Sequence, residues 1–229
     1  MADCQFLAFH GWAFDRHFWD NWEAELSTFG NFQSYDRGYF GDPHEIEMDN
    51  SDGPLILISH SYGLHQIDEP LFEQADLLII AGGFLYFHPY AAQYKRRSRL
   101  IVQEMVNEIE TNPKKVLRRF YENSFAPEEI PKFDFEHVNQ PLLMEDLQRL
   151  QDSEIDTNLL KEARKVCILH GAKDQIVTYK KGRQIYNQLQ QRSQYFEIKN
   201  AGHALPKTHR RQCLEFITPE IQQLMKSKV

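Results

Sequence analysis

The sequence predicts an α/β domain: a mostly parallel sheet of about six strands, flanked by helices and carrying a helical insertion. Two observations support this. Short apolar runs alternate with segments whose apolar residues recur at helical spacing, and the alternation stops once, across residues 84–155, where helical patterns follow one another with no strand between them. A chain of 229 residues can bury one large core and is too short for two ordinary ones, so a single domain is expected.

The strand-like runs are 5–9, 32–35, 55–59, 77–81, 166–170 and 195–198. Between them, 16–28, 64–74, 179–190 and 210–226 read as helices, with apolar residues such as Ile185 and Leu189, then Phe216, Ile217, Ile221 and Leu224. Strand followed by helix, repeated, implies a parallel sheet covered on both faces. The insertion reads as three helical stretches, 90–110, 114–120 and 142–150, punctuated by Pro127, Pro131 and Pro141. The expected division is a core of 1–83 and 156–229 and a lid of 84–155. Placed there, the lid overhangs the carboxyl ends of the strands, where open α/β sheets bind ligands.

A formal net charge of −7 argues against binding nucleic acid or an anionic membrane surface, since both require a cationic face. Apolar runs such as 55–58 and 77–81 are far shorter than the roughly 20 residues that span a bilayer. The first residues lead into a strand without a basic, then apolar, then small-residue pattern, so a cytoplasmic protein is the expectation. Cys4, Cys167 and Cys213 are odd in number and widely spaced, which fits reduced thiols. The histidines show no metal-ligand spacing and no glycine-rich nucleotide fingerprint is present, so neither a metal nor another cofactor is expected.

Three segments carry chemistry. Ser59-His60-Ser61-Tyr62-Gly63 directly follows an apolar strand and precedes a helical pattern, the context in which a serine on a sharp turn is exposed as a nucleophile. The usual first glycine of that motif is Ser59 here. His170-Gly171-Ala172-Lys173-Asp174 puts an acid in the loop leaving the fifth strand, and Asn200-Ala201-Gly202-His203 puts a histidine in the loop leaving the sixth. Parallel strands bring such loops to one edge of the sheet, so Ser61 as nucleophile, His203 as general base and Asp174 as the acid that orients it can meet. Phe9-His10-Gly11-Trp12 closes the first strand, and the backbone N–H groups of Trp12 and Tyr62 are the expected oxyanion donors. His10 reads as structural, because one histidine suffices as base.

Together with Asp36-Arg37-Gly38-Tyr39-Phe40-Gly41, these segments resemble the α/β-hydrolase superfamily across nearly the whole chain. The His-Gly-Trp opening, small helical lid and compact length look most like the carboxylesterases that demethylate pimeloyl-[acyl-carrier protein] methyl ester in biotin synthesis. That resemblance implies the α/β-hydrolase fold, the triad Ser61, Asp174 and His203, oxyanion positions at Trp12 and Tyr62, and an acidic acyl carrier protein docked on lid arginines. Two alternatives stand beside it. One is another hydrolase or lyase of the fold, acting on free small esters, thioesters or carbon–carbon bonds; the other is a binding protein without turnover.

Lys95, Arg96, Arg97, Arg99, Lys114, Lys115, Arg118 and Arg119 concentrate positive charge in the insertion. Docking of an acidic partner, centred on Arg96, Arg97 and Arg99, and a solvated helix face balanced by nearby glutamates are both open readings. Phe84, Phe87, Phe120, Phe125, Phe133 and Phe135 either line an acyl tunnel, with Phe120 and Phe125 as the leading contacts, or pack a small core of their own.

Overall fold

A computed structural model describes residues 3–48, 52–133, 135 and 137–227. The outermost positions of the expected core, 1–2 and 228–229, together with 49–51, and positions 134 and 136 of the expected lid lie outside the described residues. Each strand-like run forms a strand: β1 Cys4–Phe9, β2 Gly30–Ser34, β3 Leu55–His60, β4 Leu77–Ala81, β5 Val166–Gly171 and β6 Ser193–Ile198. All pair in parallel, in the order β2-β1-β3-β4-β5-β6.

The central strands are apolar without interruption because both faces of the sheet are covered. Side chains alternate between two cores. Phe6, Ala8, Ile56, Ile58, Leu77, Ile79, Cys167 and Leu169 belong to one, while Leu7, Phe9, Leu55, Leu57, Leu78, Ile80, Val166 and Ile168 belong to the other. Helices α1 (Asp20–Leu26) and α9 (Arg210–Ser227) close the first core with Trp22, Leu26, Cys213, Ile217 and Ile221. Helices α2 (Glu69–Gln74), α6 (Thr157–Glu162) and α7 (Tyr179–Leu189) close the second with Phe72, Leu160, Ile185 and Leu189. The three cysteines are free and buried, and burial pushes the thiols of Cys167 and Cys213 up to about 12, which keeps them protonated.

Between β4 and β5 run α3 (Ala92–Thr111), α4 (Pro113–Phe125) and α5 (Gln140–Leu150), followed by α6. Helix α6 has no counterpart in the sequence reading, because six residues are too few to show a helical period. The expected helix 64–74 is broken: a 3-10 turn, Ser61–Gln66, ends where Ile67 becomes extended, and α2 starts afresh with Pro70 in its first turn. Likewise 16–28 divides into a 3-10 turn, Arg16–Trp19, and α1. Short α8, Leu205–Thr208, precedes α9. No helix of the described residues is long and apolar enough to cross a membrane.

The strand order sets the place where ligands bind. The chain runs outward from β1 to β2, then crosses back to β3 on the other side of β1, so β1 and β3 flank the topological switch point. Trp12 follows β1 and Ser61 follows β3, on either side of the crevice that opens there. The turn after β3 lies tightly on β1. A Cβ at Gly63 would stand 2.4 Å from the Phe9 carbonyl oxygen and 2.6 Å from that of His10, backbone that cannot swing aside. Gly63→Ala should therefore lower stability by about 1–3 kcal/mol, the usual cost of overpacking, read as a lower urea midpoint at unchanged slope. Unchanged stability would mean that the turn after β3 is not held against β1.

Candidate active site

Ser61 adopts a left-handed backbone, φ +54°, where a non-glycine residue is strained. The strain turns the chain sharply out of β3 into the 3-10 turn and leaves the Ser61 side chain at the rim of the crevice. Its Oγ lies 2.9 Å from Nε2 of His203, and Nδ1 of His203 lies 2.7 Å from Oδ2 of Asp174. The three side chains, distant in sequence, thus form one continuous hydrogen-bonded chain. Asp174 comes from the loop after β5 and His203 from the loop after β6.

Those two loops are joined backbone to backbone. The Lys173 N–H donates to the Ala201 carbonyl, and a Cβ at Gly171 would stand 2.3 Å from the Gly202 carbonyl oxygen. Ala204 N–H donates to Ser124 at the end of α4, which fixes the histidine loop from above. Asp174 is buried and its Oδ1 accepts from the backbone N–H groups of Ile176 and Val177 at 2.8 and 2.7 Å. His170 Nε2 lies 3.4 Å from its Oδ2. Burial works against ionisation, but the charge on His203 and hydrogen bonds from His170 and His203 outweigh it and hold the carboxyl well below the usual carboxylate range. Asp174 is therefore an anion facing Nδ1.

His60 supports His203 from beneath: its Nε2 lies 3.0 Å from the His203 carbonyl oxygen, and its ring stacks on Phe18. Burial, and then the neighbouring His203, push the His60 imidazole well below its ordinary value, so the ring is neutral and Nε2–H donates. His10 has a related structural role. Its Nε2 accepts from the Arg37 N–H at 3.1 Å and its Nδ1 lies 2.8 Å from the Gly11 carbonyl oxygen, which leaves neither nitrogen facing Ser61.

Trp12 and Tyr62 border the crevice from its two sides. Tyr62 is second in the 3-10 turn, where an N–H has no intrahelical acceptor. The indole of Trp12 donates to the Leu143 carbonyl at 2.9 Å, so the loop after β1 is tied to α5 through the side chain while the peptide N–H remains a separate donor. Above Ser61 lies a cavity of about 260 Å³ walled by Trp12, Tyr62, Phe84, Phe87 and Phe120, with further residues from α3, α4 and α5. Burial pushes the Tyr62 phenol up to about 12, so it stays protonated at neutral pH.

The expected aromatic contacts separate. Phe120 lines the cavity, with Trp12 edge-on at 4.8 Å, whereas Phe125 packs on Phe14 and Phe133 and contributes nothing to the cavity wall. Five residues along a helix turn through about 140°, so Phe120 reaches the cavity and Phe125 does not, although both rings touch Phe14. Phe133 and Phe135 stack on Tyr121. The arginines separate too. Arg96 and Arg97 are exposed, but Arg99 donates to Asp152 and to the Gln151 carbonyl, at 2.9 and 3.0 Å.

Asp146 escaped the sequence reading, and Arg119 entered it only as one of a run of basic residues; each falls on an apolar helical stripe. Asp146 falls among Leu143, Leu147 and Leu150 of α5 and is buried, accepting from Arg37 at 2.9 and 3.1 Å and from the Tyr39 hydroxyl at 2.6 Å. Arg119 falls among Val116, Phe120 and Asn123 of α4 and lines the cavity. A charge interrupting an apolar stripe is the signal that finds both.

No protein-family model and no curated protein matches the sequence. Solved structures do match. An esterase from Exiguobacterium antarcticum shares 16% identity at a TM-score of 0.72, covering 97% of this chain and 93% of that one. A bromoperoxidase from Bacillus anthracis shares 15% at 0.73, covering 97% and 92%, and the enol-lactonase from Burkholderia xenovorans shares 10% at 0.73, again covering 97% and 92%. The chain has the α/β-hydrolase fold. An α/β-hydrolase fold shared at this identity does not specify a reaction, as the different names of these neighbours illustrate, so the chemistry has to be argued from the site.

One electrostatic feature beneath the turn after β3 can be read in solution. The His65 Nε2–H donates to the Phe84 carbonyl while Nδ1 accepts from Ser153 Oγ, and burial pushes the imidazole down from 6.5 to about 4. Between those values the unfolded chain binds a proton that the folded chain does not. Stability should therefore fall as pH drops through that window. The loss of unfolding free energy between about pH 7.5 and about pH 5, measured in urea, should be smaller in His65→Gln than in the wild type. An equal loss in both would remove His65 as a source.

Proposed function

We propose that this α/β-hydrolase is a serine carboxylesterase working through an acyl-enzyme on Ser61. The observation that carries the reading is the continuous hydrogen-bonded chain from Ser61 through His203 to an anionic Asp174, opening on an apolar cavity. Ser61 Oγ attacks the ester carbonyl carbon and its proton passes to His203 Nε2, while Asp174 stabilises the imidazolium. The carbonyl oxygen, now negative, turns to the backbone N–H groups of Trp12 and Tyr62. The alcohol leaves with the proton from Nε2. Water then attacks the acyl-enzyme, giving its proton to His203, and Ser61 Oγ recovers it as the acid departs. The net change is ester and water to acid and alcohol.

Ser61 should be labelled covalently by a sulfonyl fluoride or an organophosphonate, and Ser61→Ala should abolish labelling. His203→Ala should cost on the order of 10⁴-fold or more in turnover of a short aryl ester at unchanged fold. Labelling that persists in Ser61→Ala, or maps to Ser59, sinks the proposal.

A narrower form takes the substrate to be pimeloyl-[acyl-carrier protein] methyl ester in biotin synthesis, with the acidic carrier on α3. Its support is the resemblance of the motifs and the exposure of Arg96 and Arg97 in a protein of net charge −7. Reversing Arg96 and Arg97 to glutamate should lower kcat/KM for a carrier-bound ester about tenfold, chiefly through encounter, and the loss should shrink with added salt. A free uncharged ester tests the alternative: an equal loss for both substrates counts against the carrier.

A further inference from the structure

The cavity above Ser61 has two helical walls whose stripes face each other. From α3 come Ser98, Ile101, Val102, Met105 and Glu108, and from α4 come Val116, Arg119, Phe120 and Asn123, both at the spacing of one helix face. Polar groups on such stripes are either satisfied within the protein or available to a ligand. Ser98 Oγ meets His88 Nδ1 at 2.8 Å. Glu108 pairs with Lys115 at 2.5 Å, which cancels its charge. Asp146, the inward charge of α5, is taken up by Arg37 and Tyr39. Arg119 has no carboxylate partner among the described residues. It is exposed and lines the cavity, so it stands at the mouth, and Asn123 follows one turn on along the same face.

We propose that Arg119, aided by the Asn123 amide, selects substrates that carry a carboxylate of their own, so that the esters cleaved are half-esters of small dicarboxylic acids and similar anionic esters. This rests on the ester-hydrolase reading and not on the carrier-bound form of it. A guanidinium presents a planar fork of N–H donors that matches a carboxylate, and an unpaired cation beside an apolar cavity favours an anion at one end of an otherwise apolar molecule. Size agrees. A cavity of about 260 Å³ exceeds the roughly 150 Å³ that admits a benzene molecule, so a small half-ester fits it. The carboxylate at the mouth leaves the ester end to reach Ser61.

The test compares monomethyl succinate, anionic at neutral pH, with dimethyl succinate, its neutral analogue. Wild-type kcat/KM should favour the monoester by about tenfold relative to the diester, the scale of one charge-assisted hydrogen bond at a partly solvated site. Arg119→Gln should bring that ratio close to one and Arg119→Lys should restore part of it. Binding is read separately, by NMR titration of each ester into Ser61→Ala, where the monoester should bind more tightly and lose that advantage in Ser61→Ala/Arg119→Gln. No preference for the monoester in rate or binding, or a preference that survives Arg119→Gln, overturns the proposal. The two readings come apart cleanly: Ser61-dependent cleavage without charge preference leaves the hydrolase standing alone, and Arg119-dependent binding without cleavage leaves the anion site standing alone.

Discussion

The left-handed backbone of Ser61 is the constraint on which the site depends. A non-glycine residue held at φ +54° costs of order 1–3 kcal/mol and persists only where the surroundings leave no alternative. Here the surroundings are the central strands. β3 is buried along its whole length between β1 and β4, and the turn that follows is pressed on the carbonyls of Phe9 and His10 through Gly63. The strain is thereby fixed by strands buried at the centre of the sheet, and the Ser61 hydroxyl meets His203 at 2.9 Å.

The same economy of space governs the other two members of the hydrogen-bonded chain. Gly171 allows the loops after β5 and β6 to touch backbone to backbone, Gly202 allows the histidine loop to approach the Ala126 carbonyl just past α4, and Gly82, beside His203, takes φ +58°, a conformation that favours glycine. A methyl group at Gly171 or Gly202 would meet backbone at 2.3 or 1.9 Å and force apart the loops that carry Asp174 and His203. The site is built by close approach of main chains, and the side chains inherit their geometry from it.

Much of this was legible in the sequence, for physical reasons that also mark the limit. Uninterrupted apolar runs announce strands buried on both faces, and loops that follow parallel strands must gather at one edge, so Ser61, Asp174 and His203 could be brought together without knowing the strand order. The order itself was not legible, since an apolar run such as 77–81 reads alike at any central position. The insertion was read less well. Counting charge along the chain grouped Arg119 with Arg96 and Arg97, although a helix distributes neighbours around its axis, and Phe120 was grouped with Phe125, which stands outside the cavity wall. Asp146 went unseen because its partners, Arg37 and Tyr39, lie more than a hundred residues away.

That last cluster bears on how the cavity keeps its shape. Asp146 on α5 is clamped to the loop after β2, and the Trp12 indole ties the loop after β1 to the neighbouring turn of the same helix. Parting α5 from the sheet would break the bonds of Asp146 to Arg37 and Tyr39 and that of Trp12 to Leu143 together, which makes α5 a fixed wall of the cavity. The opposite wall is fastened too: α3 is held through Arg99 to Asp152 and the Gln151 carbonyl, and α4 through the Ser124 carbonyl to Ala204 and the Tyr121 hydroxyl to the Ala13 carbonyl, while the two helices meet each other through apolar stripes and the exposed pair Glu108 with Lys115. All three helices are thus moored from behind, so the space above Ser61 takes its shape from polar ties outside the cavity and apolar contact along its walls.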